Sequence, residues 1–141
     1  MVSRVLSPSQ VENSMQKVLL VDDDPDLLAI LSMSIESAGF CVSTACTGPD
    51  ALKQAQDLPD LILLDLVLPE LDGFAVCQTL KKNRATASIP IIIMTGLSSE
   101  SNRTAGLESG ASCYITKPFT PDELIEKIRT LLNGAGVQRL D

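Results

Sequence analysis

The sequence predicts an α/β fold in which a five-stranded parallel sheet is covered by helices on both faces, a doubly wound (βα)5 arrangement. Two observations predict it. Short aliphatic runs alternate strictly with segments of helical periodicity, and residues that cap helices lie between the two. Parallel strands need a crossover connection, which a helix usually supplies. The 141 residues are enough for one such domain with its own core.

Five segments are predicted strands, and three of them are apolar apart from a charged first residue in two, as is typical of central strands buried on both faces. Those three occupy residues 17–21, 60–64 and 89–94. Residues 113–116 form a weaker run, and residues 40–45 alternate between apolar and polar side chains. Alternation is typical of a strand with one exposed face, so we expect 40–45 at an edge of the sheet.

Helical periodicity separates and follows these runs. It predicts helices over 25–38, 49–56, 98–109 and 120–132, and another near residues 74–80. The helix over 98–109 has the poorest apolar face of the five. Such a face fits a helix held loosely enough to shift, although it more often belongs to an ordinary surface helix.

Capping residues support these limits. Asp24 before Pro25 is a predicted N-cap with proline at the first helical position. Residues 120–123 read TPDE, a predicted capping box. Three glycines follow helical segments, where a left-handed residue ends a helix: Gly39, Gly110 and Gly134.

Composition argues against several classes of function. The 18 acidic and 11 basic residues give a net charge of −7, which argues against direct binding of nucleic acid. The basic run at 81–84 is expected in solvent at a helix end. Histidine is absent and no C-x2-C pair occurs, which argues against a zinc site and against Ser-His or Cys-His nucleophiles.

Location and domain limits follow from the same reading. No apolar run approaches the ~20 residues that span a bilayer, and the N-terminus lacks the apolar region of a secretory signal. We therefore expect a cytoplasmic protein without membrane contact. The predicted domain occupies 17–132, preceded by an N-terminal tail at 1–16. Residues 133–141 are predicted to be a C-terminal tail or the start of a linker.

Polar residues follow four of the predicted strands, at the edge where open α/β sheets bind ligands. They are Asp22, Asp23 and Asp24 after the first strand, Asp65 after the third, Thr95 after the fourth and Lys117 after the fifth. The carboxyl ends of parallel strands meet at one edge of the sheet. We therefore expect these carboxylates, the hydroxyl and the ammonium to converge.

This group of side chains suits phosphoryl chemistry. Carboxylates in one cleft repel each other unless a cation joins them. Oxygen ligands without histidine favour Mg²⁺, which takes one or two carboxylates and shares a phosphate. An aspartate is also a nucleophile toward phosphorus, and a hydroxyl and an ammonium beside it can hold phosphoryl oxygens. The group therefore predicts an aspartyl phosphate formed with Mg²⁺.

Four segments carry a resemblance to a known family: VLLVDDDPDLL, LILLDLVLPELDGF, IIIMTG and SGASCYITKPF. In this order and spacing they resemble the receiver domain of two-component response regulators, of the chemotaxis-regulator kind. The resemblance implies a flavodoxin-like fold with strand order 2-1-3-4-5. It also implies a signalling switch rather than an enzyme, which takes its phosphoryl group from a phosphohistidine or a small phosphodonor.

The resemblance assigns roles at the phosphoacceptor and the metal. Asp65 matches the phosphoacceptor and Asp23 a direct metal ligand. Asp22 matches an acid that acts on the metal largely through water, and the backbone carbonyl of Val67 completes the metal site. The implied cofactor is Mg²⁺.

Further roles implied by the resemblance concern the switch. Thr95 is implied to bind a phosphoryl oxygen, and Lys117 to pair with Asp65 or its phosphate across a cis Lys117–Pro118 bond. Phosphorylation draws Thr95 inward, and the ring of Tyr114 turns into the vacated space. The face made by the fourth helix, fifth strand and fifth helix then changes its affinity for partners.

The implied partners lie on the input and the output side. The input partner is a sensor histidine kinase or a phosphotransfer protein. The output partner is a downstream effector protein or an output domain that this chain does not include. The face described above also implies a homodimer.

Two alternative functions fit the sequence less well. A haloacid dehalogenase-type phosphatase places its acids as D-x-D after the first strand, whereas Asp65 follows the third and has Val67 at that spacing. An FMN-binding protein would carry a Ser/Thr/Gly-rich loop where three aspartates stand here. Among other acids near the rim, Asp24 and Asp72 are predicted helix caps and Glu70 a solvated loop residue.

Overall fold

The computed structural model describes residues 15–96 and 100–140. Its strands are β1 (Lys17–Val21), β2 (Cys41–Ala45), β3 (Leu61–Asp65), β4 (Ile91–Thr95) and β5 (Cys113–Thr116). They form one five-stranded sheet in the order β2-β1-β3-β4-β5, and every pair is parallel. The predicted fold class and strand order are confirmed.

Within the described residues, five α-helices connect and follow the strands. They are α1 (Pro25–Ser37), α2 (Gly48–Gln54), α3 (Gly73–Lys82), α4 (Glu100–Glu108) and α5 (Pro121–Leu140), with a short 3-10 helix at Ala55–Asp57 after α2. The predicted start of the fourth helix at 98 lies outside the described residues. No helix in the described ranges has the length and apolar character needed to cross a membrane.

Alternate strand residues face two core layers, one on each side of the sheet. On one side Leu19, Ile62 and Ile93 belong to a buried cluster that includes residues of α2 and α3. On the other side Leu20 and Leu63 belong to a cluster that includes residues of α1 and α5. Because β3 and β4 are buried along their whole length, polar chemistry is confined to the ends of the strands.

The predicted caps form as expected. Asp24 Oδ1 accepts hydrogen bonds from the backbone N–H groups of Asp26 (3.0 Å) and Leu27 (3.3 Å). In the capping box, Thr120 Oγ1 accepts from the Glu123 N–H at 3.1 Å, and Glu123 Oε1 accepts from the Thr120 N–H at 2.8 Å. These bonds satisfy amide groups that the first turn of a helix leaves without a partner.

The predicted end of the last helix is wrong. Gly39 (φ +104°) and Gly110 (φ +111°) adopt the left-handed conformation expected after a helix, but α5 passes through Gly134 and ends at Leu140. A glycine permits a left-handed stop without imposing one, and its helix penalty of about 1 kcal/mol is small enough for a helix to continue through it. The predicted segment 133–141 is therefore helical to residue 140.

The basic run at the end of α3 also differs from its prediction. Lys81 is half-buried, and its Nζ donates to the carbonyl oxygens of Ala87 (3.0 Å) and Ile89 (2.6 Å). Burial lowers the pKa of Lys81. This lysine fastens the loop between α3 and β4, whereas its neighbour Lys82 is exposed as expected.

Candidate functional site

Four strands deliver polar residues to one edge of the sheet. Asp22 directly follows β1, Asp65 and Thr95 are the last residues of β3 and β4, and Lys117 directly follows β5. The register places Val21 beside Leu64 and Thr95 beside Thr116. The strand ends are therefore level, and the structure brings these residues together as the sequence predicted.

Three carboxylates form the centre of the site. Oxygen atoms of Asp22, Asp23 and Asp65 all lie within 4.8 Å of one another. Asp22 and Asp65 are buried, at 1% and 5% exposure, while Asp23 is exposed. Across the described ranges, no other three acidic, cysteine or histidine residues meet in this way.

Lys117 joins two of these carboxylates. Its Nζ lies 2.7 Å from Asp22 Oδ2 and 3.2 Å from Asp65 Oδ2. The pairing with Asp65 agrees with the prediction. The shorter contact, to Asp22, was not predicted, because Asp22 and Lys117 are 95 residues apart and no local pattern links them.

Backbone amides orient the same two carboxylates. The Asp24 N–H donates to Asp22 Oδ1 at 2.9 Å, and the Val67 N–H donates to Asp65 Oδ1 at 3.2 Å. In both cases the donor lies two residues after the acid. Asp22 and Asp65 therefore each keep one oxygen on the backbone and turn the other toward Lys117.

Burial and charge act in opposite directions on these groups. Burial raises the pKa of Asp65, and the Asp22 charge adds to the rise, while the Val67 hydrogen bond and Lys117 lower it in part. Burial alone would lower the pKa of Lys117, but the hydrogen bond to Asp22 and the charges of both acids raise it. Lys117 therefore stays charged, yet it does not offset the full cost of ionising Asp65.

The site fits a divalent metal ion. Its donors are carboxylate oxygens without sulfur or imidazole, the set that Mg²⁺ prefers. Three acids facing one ammonium also leave an excess of negative charge, which a divalent cation would neutralise. Asp22, Asp23 and Asp65 are the side chains that could hold it.

Thr95 and Tyr114 lie inward of this rim. Thr95 is fully buried, and its carbonyl accepts from the Lys117 N–H at 2.8 Å. Tyr114 is 4% exposed, and the guanidinium carbon of Arg103 lies 5.6 Å from its ring centroid. Burial raises the pKa of the Tyr114 phenol, and Arg103 lowers it in part. The Lys117–Pro118 peptide bond is cis, as predicted.

The other acids near the rim have the predicted structural positions. Asp72 Oδ1 accepts from the Ala75 N–H at 2.9 Å and caps α3. Glu70 is exposed, with a φ of +71° in the loop before that helix. The side chain of Val67, two residues after Asp65, is also exposed. Because residue 67 is a valine, this position supplies no second acid.

Sequence reasoning missed the importance of Gly73, the first residue of α3. A Cβ atom at this position would press on the carbonyl oxygen of Asp65 and lie 2.6 Å from Leu66 Cα. The Gly73 N–H also donates to the Leu66 carbonyl at 2.8 Å. A glycine at the start of a predicted helix is an ordinary feature, so only the tertiary contact shows that it sets the distance between α3 and the end of β3.

Comparisons with known proteins agree on one family. Residues 18–129 match the sequence model of the family described as "Response regulator receiver domain". The chain is 42% identical over 119 residues to the DNA-binding dual master transcriptional regulator RpaA of Synechocystis sp., a match covering 84% of this chain and 49% of RpaA. It is 40% identical over 123 residues to the alkaline phosphatase synthesis transcriptional regulatory protein PhoP of Bacillus subtilis, covering 86% and 50%.

A solved structure agrees as well. The CheY-like response regulator receiver domain protein of Methanospirillum hungatei JF-1 superimposes with a TM-score of 0.82 at 31% identity. That match covers 89% of this chain and 99% of the solved one. The chain thus spans nearly a whole solved receiver domain but only about half the length of the two transcriptional regulators.

Proposed function

Since the chain belongs to the family of response regulator receiver domains, we propose that Asp65 accepts a phosphoryl group in a Mg²⁺-dependent reaction that switches the chain's affinity for partners. Accepting a phosphoryl group is the standard function of this family. One observation carries the assignment to Asp65: it is the buried acid that ends a central strand within 4.8 Å of two other acids and 3.2 Å from Lys117.

In the reaction, an oxygen of the Asp65 carboxylate forms a bond to phosphorus as the bond between phosphorus and the donor's leaving group breaks. The leaving group is a histidine nitrogen of a protein donor or the acetate oxygen of acetyl phosphate. Bound Mg²⁺ would neutralise charge on the phosphoryl oxygens. Asp22, Asp23, Asp65 and the carbonyl of Val67 are the proposed metal ligands, with Asp22 acting largely through water.

Lys117 and Thr95 serve the phosphoryl group once it has been transferred. The Lys117 ammonium, now 3.2 Å from Asp65 Oδ2, would pair with a phosphoryl oxygen. The Thr95 hydroxyl would donate to another phosphoryl oxygen. Tyr114, buried on the next strand, would report that movement to the face formed by α4, β5 and α5. The chain is therefore a signalling switch, in which a local change of charge biases a two-state element.

Partners follow from the family and from charge. Response regulators interact with histidine kinases and effectors. For this chain we propose a sensor histidine kinase or a phosphotransfer protein as the donor. The output is a downstream effector or an output domain outside this chain, with a homodimer through α4, β5 and α5. The net charge of −7 argues against direct binding of nucleic acid by the domain at 17–132.

Intact mass spectrometry tests the phosphoacceptor. The protein is incubated with acetyl phosphate and Mg²⁺, and a gain of one phosphoryl mass is expected. Asp65→Asn should abolish this gain, and excess EDTA should prevent it. Asp72→Asn is the matched control, since it removes a nearby carboxylate but keeps a good helix cap, and it should label normally. Labelling that survives in Asp65→Asn would refute the assignment.

A further inference from the structure

We infer that two residues of α4, Arg103 and Gly106, form a pocket that holds the Tyr114 ring in its buried position. We call it the ring pocket, with Ile93 as its third wall. The inference rests on the proposed switch role of Tyr114 and adds to it, because it names what sets the balance between the inward and outward positions of the ring.

Gly106 supplies the space. A Cβ atom at this position would lie 3.1 Å from Ile93 Cδ1 and 3.2 Å from Tyr114 Cδ2, closer than ordinary van der Waals contact. The ring thus packs against the bare backbone of α4. Glycine weakens a helix interior. Its presence in α4 is explained by the room that it leaves for the ring.

Arg103 covers the ring from the solvent side. It lies three residues before Gly106, a spacing that places both residues on one helix face. Its guanidinium carbon is 5.6 Å from the ring centroid, within the range of a cation–π contact. Arg103 is exposed and Tyr114 is 4% exposed, so the guanidinium lies between the ring and water. The Tyr114 phenol is neutral at neutral pH, since burial raises a pKa whose ordinary value is already 10.0, so the contact is between a cation and a π face rather than an ion pair.

The ring pocket lies close to the phosphorylation site. Tyr114 pairs with Ile93 in the sheet register, two residues before Thr95 on β4. If phosphorylation favours the inward ring, linkage requires that whatever stabilises the inward ring also favours phosphorylation. Arg103 and Gly106 would then raise the readiness of the chain to accept a phosphoryl group without touching the reacting atoms. They are positioning residues.

The sequence supplies a direct probe. The chain has one tyrosine and no tryptophan, so its tyrosine fluorescence reports on Tyr114 alone. In the unphosphorylated full chain, quenching by acrylamide should be weak. Arg103→Gln should increase quenching, with the inward-to-outward ratio falling about two- to five-fold, the effect of losing a cation–π contact at an exposed site. Arg103→Lys should restore most of the protection. Thr104→Ala, at an exposed position on the same helix, should change nothing.

Gly106→Ala tests the second wall separately. Alanine is the better helix former, so a purely structural role for Gly106 predicts a more stable helix and unchanged quenching. The ring pocket predicts greater quenching, because the added methyl group displaces the ring. Unchanged quenching in both Arg103→Gln and Gly106→Ala would overturn the inference.

The link to phosphorylation is measured separately. Arg103→Gln should bind the phosphoryl mimic beryllofluoride, in the presence of Mg²⁺, up to about five-fold more weakly than wild type, and saturation should reduce its quenching toward the wild-type level. Wild-type affinity for beryllofluoride together with increased quenching would overturn the link. Because quenching is recorded without phosphoryl donor, a failure of Asp65 to label refutes the proposed function and leaves the quenching result to decide on the ring pocket.

Discussion

To act as the proposed nucleophile, the Asp65 carboxyl has to be ionised, but burial raises its pKa and so opposes its charge. The negative charge of Asp22 raises the pKa of Asp65 further. Lys117 lowers that pKa only in part, and its ammonium lies closer to Asp22 than to Asp65. The same imbalance that makes the site attractive to a divalent cation therefore makes it a weak point of the metal-free fold.

The stability of the metal-free protein should depend on pH through Asp65. Its folded-state pKa is raised above the ordinary value of 3.8, so its favourable contribution to stability is present below 3.8 and is lost as pH rises through the folded pKa. At neutral pH without metal, Asp65→Asn should therefore unfold at a higher urea concentration than wild type. The difference should shrink as the pH falls through the folded pKa of Asp65 and should be lost below 3.8. Asp72→Asn serves as the control, and an equal or lower midpoint for Asp65→Asn at pH 7 would contradict the prediction.

The ammonium group of Lys117 should increase the rate of labelling by acetyl phosphate. Lys117→Met keeps much of the side-chain volume but removes the charge that contacts Asp22 and Asp65. Labelling by acetyl phosphate should slow by about 10²–10³-fold, the usual effect of removing one preorganised electrostatic donor. Intact mass against time measures the rate. Lys82→Met, a change at an exposed lysine of α3, should label at the wild-type rate. A normal rate in Lys117→Met would show that the ammonium plays no part.

The position of α3 sets the geometry around Asp65, the proposed phosphoacceptor. The helix begins at Gly73, directly against the backbone of Asp65 and Leu66. Its Asp72 cap and the hydrogen bond from Gly73 to Leu66 fix the same end of the helix. A substitution that moves the start of α3 should therefore change the position of the Asp65 backbone.

Gly73→Ala tests this contact. The new methyl group would press on the Asp65 carbonyl, and the helix and strand must separate to admit it. We expect a loss of about 1–3 kcal/mol in unfolding free energy, the range for overpacking, together with slower labelling. Urea denaturation and intact mass measure the two effects. Gly96→Ala is the matched control for stability, because a Cβ there meets no atom of the described residues within 4 Å. Equal stability of the two variants would refute the role of this contact.

Metal binding should stabilise the whole molecule against unfolding. An ion that binds only the folded chain stabilises it, by about 2.7 kcal/mol at one hundred times its dissociation constant. Mg²⁺ should therefore raise the thermal midpoint, and EDTA should reverse the effect. Asp23→Asn should remove most of the response, whereas Asp24→Asn should keep it, because Asp24 serves as a helix cap. A full response in Asp23→Asn would exclude that residue as a ligand.

The sheet and most of the site could be predicted because their signals are local. Aliphatic runs mark β1, β3 and β4, and the residues that follow them reach one edge once the strands are parallel. The helix caps at Asp24, Asp72 and Thr120 could be predicted equally well, since a cap is a contact between residues a few positions apart. Periodicity and capping thus determine where the elements lie and which ends face the site.

Contacts between distant segments could not be predicted in this way. The Lys117–Asp22 pair and the packing of Gly73 on β3 depend on how elements meet in space, and no spacing in the sequence encodes either. The continuation of α5 through Gly134 shows that a local signal can also fail to determine where a helix ends. A glycine is compatible with a stop and with continuation, and the surrounding chain decides between them.

The contact between Lys117 and Asp22 has a consequence for synthesis. It ties the segment after the last strand to the segment after the first, across 95 residues. During translation, a chain that has emerged only through β4 holds its acids without their ammonium group. The proposed transfer of a phosphoryl group to Asp65 would therefore be slow in a nascent chain until residue 117 has been added and β5 has joined the sheet.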